Sequence, residues 1–496
     1  MKLAFSLLKQ KIKNLSIYLN KDNWKKINVH NLVEQINKKS LKIIKFKDLL
    51  SLPFKNNNMN KNESKNQITN LINFKEAKNI KINLNNLFNK KLNERNLIFS
   101  SSSFYLFQYI LDIYSYSIII PTIKSDILKY IFNIYDYFIY STILMFHKDR
   151  INFDEISHKI NGNININLLK YEDLLKKSKD IEYIRNYINL ISFLIECKKG
   201  FFVKIVGNEK ALFTILPSIN PHILISDKKD NNLNTNNYIE KIICFECYWT
   251  IFKIIKRMLP INKSNGNNDI YKTQINKYKI ILNEIKHFIY YPVSLHMIKN
   301  DSYVNYFINN DWQINPNNKK INNKINTYIQ IMIENIKEIN DKLTMFLPIS
   351  LKARIRFIYI FVVSMFDKIK ENINKISNIN KSMINAIIQD LKIFMKNLRE
   401  IINFNDNGNE INNKLKINLL ENALNDFVEF LNNAFLNKEK FLISIGKSKI
   451  SWDLINILLN MNKFVTNSEK DKIRQDLKCM HIKELQIFQN ILKKNE

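Results

Sequence analysis

Residues 126–146 read DILKYIFNIYDYFIYSTILMF, and the spacing inside them decides the fold. Ile127, Tyr130, Ile131, Ile134 and Phe138 recur at intervals of three and four, the period of a helix face and not of a strand. No Gly or Pro interrupts the stretch. The same spacing returns in YIRNYINLISFLIEC (183–197), through Ile184, Ile188, Ile191 and Leu194 or Ile195. RIRFIYIFVVSMFDKIKENI (354–373) and INLLENALNDFVEFLNNAFL (417–436) continue it. A β-rich chain needs frequent turn punctuation, which 6 Gly among 496 residues do not supply. Only 201–206, 211–216 and 441–445 read as strand-like. The fold class is all-α: a helical bundle or an irregular helical-repeat array with Asn-rich loops.

Asn-rich tracts begin at 56, 230, 262, 309 and 403 and read as solvated loops that bury nothing. They suggest a basic N-terminal segment over 1–55, an Asn/Lys-rich linker over 56–96 and a helical domain over 97–300. An Asn-rich loop over 301–326 and a C-terminal helical domain over 327–496 follow. The start, MKLAFSLLKQKIKNLSIYLN, holds no acid before Asp22, and Met1, Phe5, Leu8, Ile12, Leu15 and Leu19 follow helical spacing. Two readings stand: a mitochondrial-type transit peptide, although the first arginine is Arg95, or the first helix of the fold. The blocks 104–120 and 127–146 are the best membrane-span candidates. Asp112, Lys129 and Asp136 interrupt them, so they read as buried helices and no integral span is expected.

Hydrophobic residues make up 46% of the chain, enough for a sizeable core, which excludes wholesale disorder. Asn, Lys and Ile dominate, a texture that reports an AT-rich eukaryotic genome as well as selection. Net charge is +31, from 76 Lys and Arg against 45 Asp and Glu. A field of that sign attracts RNA, DNA or an anionic membrane surface, against the plainer reading of a solvated lysine coat. Arginine is scarce, so binding is expected to follow the phosphate backbone and not base edges. Cysteines at 197, 244, 247 and 479 make no dense disulfide framework and fit a reducing compartment.

Chemistry-bearing motifs are few. Cys244-x-x-Cys247 lies inside an apolar helical run and lacks a second ligand pair, so it reads as core packing. Glu155/His158 and Glu284/His287 have the Glu-x-x-His spacing of carboxylate-bridged di-iron bundles. The first runs straight into Asn and Gly162, and no metal or other cofactor is expected. No HExxH, GxSxG or Gly-rich dinucleotide fingerprint occurs, and no enzyme is expected. His222 and His296 read as loop or core residues. In KFLISIGKSKISW (440–452), Gly446-Lys447-Ser448 ends like a phosphate loop. Such a loop needs a glycine where Phe441 stands, so the stretch reads as a glycine turn carrying Lys447 and Lys449 ahead of Trp452.

Basic residues interleaved with aromatics carry the functional reading. ECKKGFFVK brings Lys198 and Lys199 beside Phe201 and Phe202; FKIIKRML brings Lys256 and Arg257, with Trp249 upstream. LKARIRFIYIF brings Arg354 and Arg356, with Tyr359 beyond. Lysines neutralise phosphates and exposed aromatics stack on unpaired bases. The candidate RNA-binding residues are therefore Lys198, Lys199, Lys256, Arg257, Arg354, Arg356, Lys447 and Lys449.

Three segments, SDILKYIFNIYDYF, IEYIRNYINLISFL and NNYIEKIICFECYW, share aromatic-flanked Ile pairs about 56 residues apart. FYLFQYILDIYSYSIIIPTIKSDILKYIFNIYDYFIYS (104–141) looks like a helical hairpin turning at Pro121. Over 97–260 this texture faintly resembles the heptatricopeptide and RAP-domain class of organellar RNA-binding repeat proteins. That resemblance implies a non-catalytic RNA-binding or ribonucleoprotein scaffold in the mitochondrial or another organelle matrix, with a cytoplasmic protein as the alternative. Its partners would be RNA, ribosomal RNA included, and other proteins of a large assembly. The rival reading is a structural helical subunit, or a peripheral membrane assembly, that never contacts RNA.

Overall fold

The computed structural model describes residues 11–12, 14–19, 21–22, 98–119, 124–147, 178–199, 235–259, 268–298, 301–310, 312, 326–346, 351–376, 380–402, 410–447, 451–477 and 479. Among the described residues there are helices and no strand, so the all-α reading holds. The chain divides into two compact units, Met1–Ile151 with Leu194–Leu282, and Asn152–Phe193 with Asn283–Glu496.

In the first unit, α1 (Ser101–Ile119) and α2 (Lys124–His147) pack on each other as the arms of the expected hairpin do; Pro121, at the expected turn, lies outside the described residues. α3 (Ser178–Lys199) contributes its last turns, α4 (Thr235–Met258) packs on both α1 and α2, and α5 (Asn268–Met297) contributes its first half. Of the stripe, Ile127, Ile131, Ile134 and Phe138 are buried and Tyr130 is half-buried, but Leu128, Tyr135, Tyr137 and Ile139 on the other faces of α2 are buried too. Burial on more than one face places the part of α2 beyond the exposed Lys129 in the core. Its polar tips find partners: Tyr135 Oη donates to the carbonyl of Tyr248 at 2.9 Å, and Tyr278 Oη donates to Asp136 Oδ1. Burial pushes the Asp136 carboxyl up to about 7, against the Tyr278 hydrogen bond and Lys277, while Glu196 adds to the rise.

Residues 11–12 and 14–19 are helical, and Ile12, Leu15 and Leu19 of the predicted stripe are buried. Tyr18 stacks on Tyr105, and Asp22 Oδ2 accepts from the Ser102 N–H at 2.8 Å, where the positive end of α1 favours a carboxylate. Ser100 and Ser103 cap that helix reciprocally: Ser103 Oγ accepts from the Ser100 N–H at 2.7 Å and Ser100 Oγ from the Ser103 N–H at 3.3 Å. Among the described residues no helix is long and apolar enough to cross a membrane, as the charges in α1 and α2 predict.

The second unit holds the C-terminal half of α5, then α6 (Ser302–Ile308), α7 (Thr327–Phe346), α8 (Leu351–Asn372), α9 (Lys381–Ile402), α10 (Glu410–Asn433), α11 (Lys438–Lys447) and α12 (Trp452–Met461). α8 is its centre, packed by α6, α7, α10 and α12. Phe357, Phe361, Met365 and Phe366 are all buried, and the Phe366 ring stacks on Phe427 of α10 at 4.6 Å.

Four local expectations are corrected. Residues 441–445 are not strand-like: α11 runs through them, with Phe441 and Ile445 buried four apart and Ile443 exposed. Asn437 Oδ1 accepts from the Lys440 N–H and opens that helix, so Lys447 ends a helix and is not on a free turn. His296 is in neither a loop nor the core; Pro292 lies inside α5 and His296 is exposed in its last turn. The Asn-rich tract from 309 does bury a side chain: Trp312 packs on Phe307 and Tyr328, and its Nε1–H donates to the Phe307 carbonyl at 3.0 Å. Segments 201–206 and 211–216 lie outside the described residues, as do Glu155, His158 and His222.

Candidate functional site

The basic residues singled out by sequence fall into separate places. In the first unit, Lys256 and Arg257 are exposed in the last turn of α4, where cations also complement the helix dipole. Lys198 and Lys199 close α3; their side chains lie outside the described set, as does that of Lys447 and the whole of Lys449. In the second unit, Arg354 and Arg356 are both half-buried on α8. Arg354 donates from a terminal nitrogen to Thr344 Oγ1 at 2.8 Å. Arg356 lies near Lys286 of α5, whose ammonium is pushed down by burial first and then by this like charge. Two of the accompanying aromatics face inward: Trp452 is buried at the start of α12, and Tyr359 is half-buried.

The structure also exposes a basic face that the sequence pattern did not single out. On α9, Asn385, Gln389, Lys392, Lys396 and Arg399 are outward while Ile387, Leu391, Phe394 and Leu398 are buried. Arg399 pairs with Glu421 of α10 at 2.5 Å. Asp390, on the same helix, is turned inward, where Tyr328 Oη and Asn326 Nδ2 donate to its Oδ2 at 2.7 and 2.8 Å. Glu400 is therefore the one acid on the described exposed face of α9. The signal was present as Lys at i and i+4 between core positions, but it lacks the aromatic neighbours that mark the other basic clusters.

A cavity of about 590 Å³ opens in the second unit between α5, α8, α10 and α12. Helical period explains its walls. Glu284, His287 and Tyr291 recur at three and four on α5; Tyr359, Phe366 and Lys370 share a face of α8; Asp426, Phe430 and Asn433 share a face of α10. Asp367 anchors one wall, accepting from Tyr291 Oη at 3.1 Å and from Lys370 Nζ at 2.9 Å. The Lys370 ammonium also lies 5.5 Å over the Phe430 ring. Partial desolvation raises the carboxyl of Asp426, whose side chain is exposed at the edge of the cavity; Lys370 opposes the shift, and Glu429 adds to it. The Tyr291 and Tyr359 phenols are raised by burial first and then by Asp367 and Asp426 respectively.

One of the two predicted Glu-x-x-His pairs, Glu284/His287, thus does share a helix face and line a cavity. Among the described residues no group of three or more His, Cys, Asp or Glu is placed to hold a metal ion. Cys244 and Cys247 are buried, unbridged and in the α4 core, with burial pushing the Cys247 thiol up to about 12. Thiols held protonated in this way are poor nucleophiles and poor ligands. The chain matches no protein-family model, and no curated protein or solved structure shows significant similarity to it.

Proposed function

We propose that the chain is a non-catalytic RNA-binding or ribonucleoprotein scaffold protein that contacts the phosphate backbone through lysine-bearing helical surfaces. The observation that carries this reading is the outward face of α9, with Lys392 and Lys396 exposed while Asp390 is drawn inward, in a chain of net charge +31. Lys256 and Arg257 offer a second exposed pair at the end of α4. Lysines one helical turn apart, about 6 Å along the axis, suit successive phosphates without reading bases. A salt titration of single-stranded RNA binding by the nuclease-treated protein tests it. The expected result is affinity that falls steeply with salt and changes little with sequence. Affinity no greater than that of a basic control protein of equal size and charge rejects it.

A second reading, a structural subunit of a protein assembly, is favoured by the exposed large hydrophobic residues of the second unit, Tyr306, Ile393, Ile443 and Phe464. Ile443 is 58% and Phe464 62% exposed. Purification of the tagged protein from its native cell separates the two, by whether nuclease releases what comes with it.

A further inference from the structure

The walls of the second-unit cavity run against the bias of the chain. The protein as a whole is strongly basic, yet four carboxylates, Glu284, Asp367, Asp426 and Glu429, line this space against two lysines. One of those lysines, Lys370, is bound to Asp367 and also acts on Asp426, and the other, Lys286, has its charged form disfavoured by burial and by Arg356 and supported by Glu284. Asp426 and Glu429 sit on adjacent turns of α10, and the charge of Glu429 adds to the rise at Asp426. A phosphate-binding surface has no use for such a wall. Five of the other lining residues carry phenyl or phenol rings, Tyr187, Tyr291, Tyr359, Phe366 and Phe430, and the rest are polar or small aliphatic residues such as Asn283, His287, Asn433 and Ala423. Aromatic faces and carboxylates around one space are complementary to a cation that carries an apolar body, and the volume lies in the range of small-ligand sites.

We propose that this cavity binds a small organic cation, an ammonium group on an apolar body, with Asp426 and Glu429 facing the charge and the tyrosine and phenylalanine rings enclosing the body. An anion would meet the field of the carboxylates, and a bare metal ion would find no cluster of ligands among the described residues. In a chain of net charge +31, a space lined by more carboxylates than lysines is where a cation is least opposed.

Titration calorimetry on the nuclease-treated full-length protein tests it, with phenethylammonium as probe and phenethyl alcohol and phenylacetate as neutral and anionic counterparts. The expected result is saturable binding of the ammonium alone, weakened about ten- to hundredfold in Asp426→Asn/Glu429→Gln. Both residues are exposed on α10, so this variant is expected to fold, and circular dichroism checks it. Ala423→Met, which fills the cavity without changing charge, is expected to weaken binding comparably. No binding of the ammonium, equal binding of phenylacetate, or unchanged binding in the carboxylate variant overturns the proposal. RNA affinity is read in parallel and is expected to be unchanged in both variants, so the cavity and the RNA-binding reading fail separately.

Discussion

Tyr328 Oη donates a 2.7 Å hydrogen bond to Asp390 Oδ2, and so α7 holds the one mid-helix acid of α9 against the core. Burial raises the Asp390 carboxyl, while the bonds from Tyr328 and Asn326 oppose that shift. Removing the phenol leaves a buried carboxyl with one donor fewer. Tyr328→Phe is expected to destabilise the protein by about 1–3 kcal/mol in denaturant unfolding. Asp390→Asn should cost less, because the amide oxygen still accepts from Tyr328. Equal costs for the two would mean that the pair contributes packing and little polar energy.

The same inward turn of Asp390 leaves Lys392 and Lys396 as the net charge of the α9 face. Lys392→Gln/Lys396→Gln is expected to weaken RNA binding and to lower the slope of log affinity against log salt. The decrease should be about 0.7 for each phosphate that is no longer neutralised. Both residues are exposed, so the melting temperature should stay close to that of the parent. An unchanged slope would remove α9 from the interface.

Much of this architecture was legible in the sequence, and where it was not the reason is physical. The period of three and four in 126–146 pointed to the helix, and the scarcity of glycine argued against a β-rich fold. Periodicity names one buried face, however, and α2 buries Tyr135 and Tyr137 on the others, because a core element is defined by the neighbours that surround it. Residues 441–445 misled because a short run of Phe, Leu and Ile satisfies either period; the cap from Asn437 and the burial of Phe441 with Ile445 settle it as helix. The cavity was invisible for a different reason. Glu284, Asp367 and Asp426 are far apart in sequence, and only the packing of α5, α8 and α10 brings them to one space.

Asp136 gives the first unit a pH dependence whose sign follows from its surroundings. An ordinary aspartate ionises near 3.8, whereas burial among Tyr278, Lys277 and Glu196 holds Asp136 protonated up to about 7. Between those values the folded chain binds the extra proton, so the contribution of Asp136 to stability falls as pH rises from about 4 to about 7 and levels off above. Asp136→Asn, which still accepts from Tyr278, is expected to flatten this part of the profile and gain up to about 4 kcal/mol relative to the parent at pH 8. Asp112 and Asp390 shift the same way, so the readout is the difference between the two profiles and not the parent slope alone. Parallel profiles would show that the carboxyl ionises normally in the fold.

The stack of Phe366 on Phe427 joins the central helix of the second unit to the helix that carries the cavity carboxylates. Their planes lie 9° apart, and both side chains are buried. Phe427→Ala deletes a buried ring and leaves a cavity, at an expected cost of about 3–5 kcal/mol in denaturant unfolding. Phe427→Leu keeps most of the volume and should cost distinctly less.

The helix through residues 438–447 can be separated from the strand that its composition suggests by which positions tolerate charge. On a strand, Phe441, Ile443 and Ile445 point to one side, so all three would be buried or exposed together. On α11, Phe441 and Ile445 are buried while Ile443 is 58% exposed. Ile443→Lys is therefore expected to change stability by no more than about 0.5 kcal/mol, whereas Phe441→Ala should cost about 3–5 kcal/mol. Thermal unfolding of the two variants decides the matter. A severe loss in Ile443→Lys would place that residue in a core that a helix cannot bring it to. If Ile443 instead serves a protein partner, Ile443→Lys keeps its melting temperature and loses the co-purifying protein.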